Sequence, residues 1–126
     1  MEIKVSIGEL LDKLTILYIK KSKLKDPDKL ANVSKEYEYL LTKVSQKIKD
    51  DKQFERLCNS LVQVNSELWD IEDGKRECER NQDFGENFIH LARQVYIKND
   101  LRATIKKEIN THFKSEFTEE KSYEKY

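Results

Sequence analysis

Six apolar residues, Phe54, Leu57, Leu61, Val64, Leu68 and Ile71, recur at alternating spacings of three and four. On an α-helix this spacing gathers them into one stripe. The stripe falls short of the three or four heptads that sustain a free-standing coiled coil, so it predicts a long helix packed in a bundle. A second periodic segment follows the turn-like break Asn81-Gln82-Asp83-Phe84-Gly85, so the centre of the chain reads as a helical hairpin. Only three glycines and one proline punctuate 126 residues. A sheet protein of this size needs more turns, which leaves a few long helices as the expected content.

The boundaries of those helices can be read from local chemistry. Ser6 with Glu9 makes a capping box, with Val5 and Leu10 as its hydrophobic staple, and starts a helix that runs to about Lys25. Lysines 20, 21, 23 and 25 suit the negative end of that helix. Asp26 is an N-cap and Pro27 a first helical residue for a second helix to about Lys49. Its predicted buried stripe is Leu30, Val33, Tyr37, Leu40, Leu41, Val44 and Ile48. Asp50-Asp51 precedes a third helix, from about Lys52 to Arg80. Asp83 and Glu86 cap a fourth, from about Gly85 to Lys114, with Phe88, Leu91, Ala92, Val95, Tyr96, Ile105 and Ile109 facing the core. Thr118 could cap one short helix in the tail of about 115–126, which is otherwise expected to be partly disordered. The expected fold is all-α, one domain over residues 1–126. It is an antiparallel up-down bundle of four main helices, with a long hairpin of the third and fourth.

Composition narrows the function classes. Lys plus Arg total 24 and so do Asp plus Glu, a net charge of zero. That removes the basic excess on which general nucleic-acid binding rests and argues against a membrane surface. No apolar run approaches the roughly 20 residues of a membrane span. Met1-Glu2-Ile3-Lys4-Val5 has no signal-peptide core, so the expected location is cytoplasmic. Cys58 and Cys78 lie about 30 Å apart along one predicted helix, too far to bridge, and read as idle thiols.

Several short pieces are familiar as a set. They are Val5-Ser6-Ile7-Gly8-Glu9-Leu10, Asp12-Lys13-Leu14-Thr15-Ile16-Leu17, Leu68-Trp69-Asp70-Ile71-Glu72-Asp73, Phe88-Ile89 with Leu91-Ala92-Arg93, Val95-Tyr96, Asn99-Asp100, and Glu119-Glu120-Lys121-Ser122-Tyr123. Together they resemble the domain-of-unknown-function family 6165 over nearly the whole chain. The resemblance implies a small helical protein of bacteria or their phages. It implies no activity, and no functional residue is carried over from it.

The residues themselves offer four constellations. If the hairpin folds back at residues 82–84, Glu72 comes level with Arg93, Trp69 with Tyr96, and Asn65 with Asn99-Asp100. Asn65, Trp69, Glu72, Arg93, Tyr96 and Asn99 would then share one seam. Open, it is a pocket for a small polar or anionic ligand, with Arg93 as anion anchor and the aromatic rings as walls. Closed, it is a polar layer that sets hairpin register, the plainer and favoured reading. Glu67, Asp70 and Asp73 are spaced like the magnesium carboxylates of all-α nucleotide pyrophosphohydrolases. That pattern needs a second acidic cluster, and Glu36 and Glu38 point to different faces, so a solvated acidic face is expected. Lys98, Arg102 and Lys106 share a face of the fourth helix and could meet phosphate; a solvated face is again the plainer reading. His90 and His112 have no companion at zinc-ligand spacing, and no cofactor is implied.

The first helix carries apolar residues on two sides. Ile7, Leu10, Leu11, Leu14, Leu17 and Tyr18 share one face, while Ile16 and Ile19 lie across from it beside Asp12 and Thr15. Two-sided apolar helices are normally covered twice. Ile16 and Ile19 are therefore an expected interaction face, covered by the tail or by a second chain. The resulting expectation is a non-enzymatic helical interaction module that self-associates, with an unidentified protein partner as the other possibility. A small-ligand binder or enzyme using the Trp69 seam is the alternative, and a pyrophosphohydrolase-like protein the third.

Overall fold

A computed structural model describes residues 1–126, and every regular element in it is helical. The elements are α1 (Ile7–Lys23), α2 (Pro27–Leu41), α3 (Gln46–Lys49), α4 (Phe54–Arg80) and α5 (Glu86–His112). No helix is long and apolar enough to cross a membrane.

Local chemistry sets most of the boundaries as read from the sequence. Ser6 Oγ accepts the Glu9 N–H at 3.0 Å, and Asp26 accepts the Asp28 and Lys29 N–H groups at 2.9 and 3.3 Å. The predicted second helix, however, stops at Leu41 instead of Lys49. Thr42 and Ser45 divert it: the Thr42 hydroxyl donates to the Tyr39 carbonyl at 2.6 Å, and Ser45 Oγ accepts the Ile48 N–H to start α3. Such side chains offer the backbone an alternative to the helical ladder. The break turns Val44 into the core, where it is 3% exposed.

Both ends of the hairpin's second helix differ from the simple caps expected. Asp83 accepts the Gly85 N–H at 3.1 Å and does not cap with Glu86. α4 closes with the Gln82 N–H on Glu79 and the Asp83 N–H on Cys78, at 3.2 and 2.9 Å. This is a Schellman closure, with Gln82 at φ 53° where glycine is usual. α5 ends the same way, Lys114 at φ 53° and the Ser115 N–H on the Asn110 carbonyl at 2.8 Å. No helix follows, so Thr118 caps nothing, and Phe117, Tyr123 and Tyr126 are exposed.

The core joins Leu11 and Leu14 of α1, Val44, the α4 residues Leu57, Leu61 and Val64, and Ile105 and Ile109 of α5. α1 packs against α2, α4 and α5, and α4 against α5. Consequently α1 is the central helix. α2 fully buries no residue, and its expected stripe rests half-buried on one side of the bundle. This corrects the expected cover of α1. Ile19 is buried and Ile16 half-buried within the chain itself, beside Leu68, Trp69 and Val95 of the hairpin. Neither the tail nor a second chain is needed to cover them. The cysteines are both free; burial pushes the Cys58 thiol up to about 11, and Cys78 is buried.

Candidate functional site

The second side of α1 is ionic at its centre. Asp12 is 1% exposed, and a carboxylate that deep requires a cation and hydrogen bonds. α5 supplies Arg102, whose Nε donates to Asp12 Oδ1 at 3.0 Å and whose Nη2 donates to Oδ2. α4 supplies Asn65, whose Nδ2 donates to Asp12 Oδ1 at 2.9 Å and to Thr15 Oγ1 at 3.0 Å. Thr15 Oγ1 donates in turn to the Asp12 carbonyl at 2.8 Å. One buried carboxylate thereby ties the three packed helices together. The Asp12 hydrogen bonds hold the Arg102 pKa above its ordinary value, against the opposing pull of burial.

One turn further along α5 lies Lys106, largely buried. Its Nζ reaches Glu9 Oε2 at 2.6 Å and Glu119 Oε2 at 3.2 Å, with Asp12 at 4.0 Å. Burial alone would lower its pKa, but these carboxylates offset that and hold it above the usual lysine value. Glu119 belongs to the tail, and its Oε1 accepts from Ser6 Oγ at 2.9 Å. One turn in the other direction Lys98 meets Glu67 at 2.7 Å, which keeps the Glu67 carboxyl below its ordinary range. So Lys98, Arg102 and Lys106, read from sequence as a solvated face, instead reach across to carboxylates of α4, α1 and the tail. The same pairing takes Glu67 out of the acidic cluster, and no group of three His, Cys, Asp or Glu converges as metal ligands would.

The α1 amino end is docked on the α5 carboxyl end. The Ile7 N–H donates to Ser115 Oγ at 3.0 Å and the Gly8 N–H to Asn110 Oδ1 at 2.7 Å. The Schellman closure of α5 is what swings Ser115 into reach. This close approach requires a glycine, because a Cβ on Gly8 would sit 2.7 Å from the Lys106 carbonyl oxygen and 3.0 Å from Asn110 Oδ1. Gly8→Ala is therefore predicted to destabilise the protein by about 1–3 kcal/mol, as overpacking does. Urea unfolding checks it; an unchanged midpoint would mean the two helix ends do not meet this tightly.

Two clefts open beside Arg102. The first, about 280 Å³ between α1, α4 and α5, is walled by Ile16, Ile19, Leu68 and Val95 and carries Asn65, Trp69, Glu72, Asn99 and Arg102. The second, about 490 Å³, lies under the tail and adds Glu9, Tyr96, Lys106, Glu119, Lys121 and Tyr123. Val95, Asn99 and Arg102 line both. The hydrogen bonds of Arg102 leave its Nη1 without a partner in the chain, and the Trp69 indole N–H and the Asn99 amide have none either.

Four of the six seam residues, Asn65, Trp69, Glu72 and Asn99, thus come together at the first cleft, and Tyr96 borders the second. Arg93 does not join them. The predicted register is correct, since Glu67 meets Lys98 and the Asn87 Nδ2 meets Cys78 Sγ at 3.6 Å. Register fixes height along a hairpin, though, and not the face of the helix. Arg93 lies about 200° around α5 from Val95; it is exposed and unpaired. Glu72 pairs with Arg76 and Lys75 on its own helix at 3.1 and 3.8 Å, and the Tyr96 ring meets Tyr126, tilted, at a centroid distance of 5.1 Å. The cation at this cleft is Arg102, one of the basic residues that the sequence placed elsewhere.

The chain belongs to a family of unknown function, DUF6165, whose model matches residues 1–126. No curated protein and no solved structure is significantly similar to it. The family name carries no chemistry, and the functional argument rests on this chain's own cleft.

Proposed function

We propose that this protein binds a small, carboxylate-bearing molecule in the cleft between α1, α4 and α5. One observation carries the reading: Arg102 stands where the two clefts meet, fixed by Asp12 on one edge and with Nη1 uncommitted. A guanidinium oriented in that way is a ready partner for a carboxylate. Around it are the parts of a small-molecule site, apolar walls with a few polar groups among them. The Trp69 and Asn99 donors supply direction, and Glu72 at the rim can accept from an amine. A volume of about 280 Å³ suits a ligand of amino-acid size more than a nucleotide. The cations and carboxylates of the site are already paired with one another, which suits recognition better than proton transfer. An interaction module, the reading that the two-sided first helix suggested, loses its main support because the chain covers Ile16 and Ile19 by itself.

The test uses a built-in probe, since Trp69 is the sole tryptophan. Titrating acetate, glutarate, glutamate and inorganic phosphate at constant ionic strength should give a saturable fluorescence change with at least one carboxylate. Asn99→Leu should weaken that binding about tenfold, the effect of losing one hydrogen bond of about 1.4 kcal/mol. A flat signal across the whole panel, confirmed by calorimetry, would sink the reading.

A further inference from the structure

We infer that Ser6 and Lys106 form a carboxylate subsite beside the second cleft, which adjoins the proposed site at Arg102, and that the chain's own Glu119 fills it as a displaceable strap. The inference rests on the proposed ligand class and adds a regulatory occupant to it.

A carboxylate is already seated there. Glu119 Oε1 accepts from Ser6 Oγ at 2.9 Å while Oε2 faces Lys106 Nζ at 3.2 Å, so each oxygen has its own donor. The subsite is built from side chains, because the first amides of α1 are committed to Ser115, Asn110 and Ser6. Its Lys106 side opens into the second cleft, which Arg102 and Asn99 also line, while Ser6 is buried behind Glu119. A ligand with two carboxylates could hold Arg102 with one and displace Glu119 with the other.

The strap is held in a way that permits release. Beyond Ser115 the tail makes no backbone–backbone hydrogen bond. Its anchors are ion pairs, Lys121 to Asp100 at 2.9 Å, Lys107 to Glu120 at 3.4 Å and Lys4 to Glu116 at 3.8 Å, and one tilted ring contact of Tyr126 with Tyr96. Exposed ion pairs of this kind are individually weak and are screened by salt. None of the core residues lies in the tail. Displacement also leaves no buried cation stranded, since Lys106 keeps Glu9 at 2.6 Å. An internal competitor of this sort reduces apparent affinity by the fraction of chains whose site is free.

The experiment is glutarate titration, by calorimetry, of the full-length chain and of full-length Glu119→Gln, with Glu124→Gln as a tail control. Glu119→Gln should bind about tenfold tighter, the gain expected if the strap occupies the site about nine-tenths of the time. In the unmodified chain, saturating glutarate should lower the heteronuclear NOE of the Lys121 and Tyr123 amides as the tail comes free. Equal affinities of the two proteins, or a tail NOE that glutarate does not change, would overturn the strap while leaving the cleft reading intact. Binding by neither protein would overturn both.

Discussion

Replacing Arg102 with methionine is expected to destabilise the fold by about 3–5 kcal/mol, the cost of leaving a buried charge without its partner. Asp12 is 1% exposed, so water cannot take over from the guanidinium; the Asn65 amide is neutral, and Lys106 at 4.0 Å stands beyond hydrogen-bond reach. The opposite change should be milder. In Asp12→Asn the arginine, with 29% of its side chain exposed, keeps access to water and has Glu9 and Glu119 nearby. Replacing both members at once, Asp12→Leu with Arg102→Met, should recover most of the loss, because a well-packed apolar pair of similar volume is often neutral or better than a buried ion pair. Asn65 retains Thr15 as a partner in that double variant. Urea unfolding of Arg102→Met, Asp12→Leu and the double variant gives the coupling directly. If Arg102→Met costs less than about 1 kcal/mol, the value of an exposed pair, then Asp12 is hydrated in solution and the three helices are not tied through it.

This asymmetry shows what the sequence could and could not convey. The α4 stripe made the hairpin legible, and the turn at Asp83 made its register legible to within a residue, as the Glu67–Lys98 pair shows. Periodicity reports which residues share a face of one helix. It does not report which neighbour that face meets. Arg93 and Arg102 are both cations on α5, and only the position of α1 decides that the second one lines the cleft. Their partners lie far apart in the chain: 90 residues separate Asp12 from Arg102 and 113 separate Ser6 from Glu119. The clue lay in two patterns taken separately. Asp12 sits beside Ile16 and Ile19 on a helix apolar on both sides, which predicts a buried carboxylate in need of a cation. Lys98, Arg102 and Lys106 form the matching row of cations.

The tail was illegible for a different reason. It has no periodic pattern, and single ion pairs along it, not a buried face, decide where it lies. The same reasoning explains α2. Its apolar stripe is real, but α1 fills the centre of the bundle, so α2 rests against one side and buries little. α5 shows the complement: few of its expected core residues are fully buried, because the face that meets α1 and α4 is partly ionic.

The second large effect is expected in the apolar core. Leu61→Ala should destabilise the protein by about 2–5 kcal/mol, the transfer loss of the deleted atoms plus the cavity they leave. Leu61 is fully buried at the middle of the α4 stripe, in one cluster with Leu11, Leu14, Val64, Ile105 and Ile109. All three central helices border that position, so collapse of one side chain cannot refill it without moving a helix. Leu68 tests the geometry, because it belongs to the same stripe and yet lines the open cleft. Leu68→Ala should cost less than Leu61→Ala and should widen the space beside Trp69, which the fluorescence titration would read as weaker binding. Denaturant unfolding of both variants under identical conditions settles the order. A loss of under about half a kcal/mol for Leu61→Ala, the range of surface substitutions, would place Leu61 outside the core. Equal losses at the two positions would mean that the cleft is packed shut in solution, and the ligand reading would fail with it.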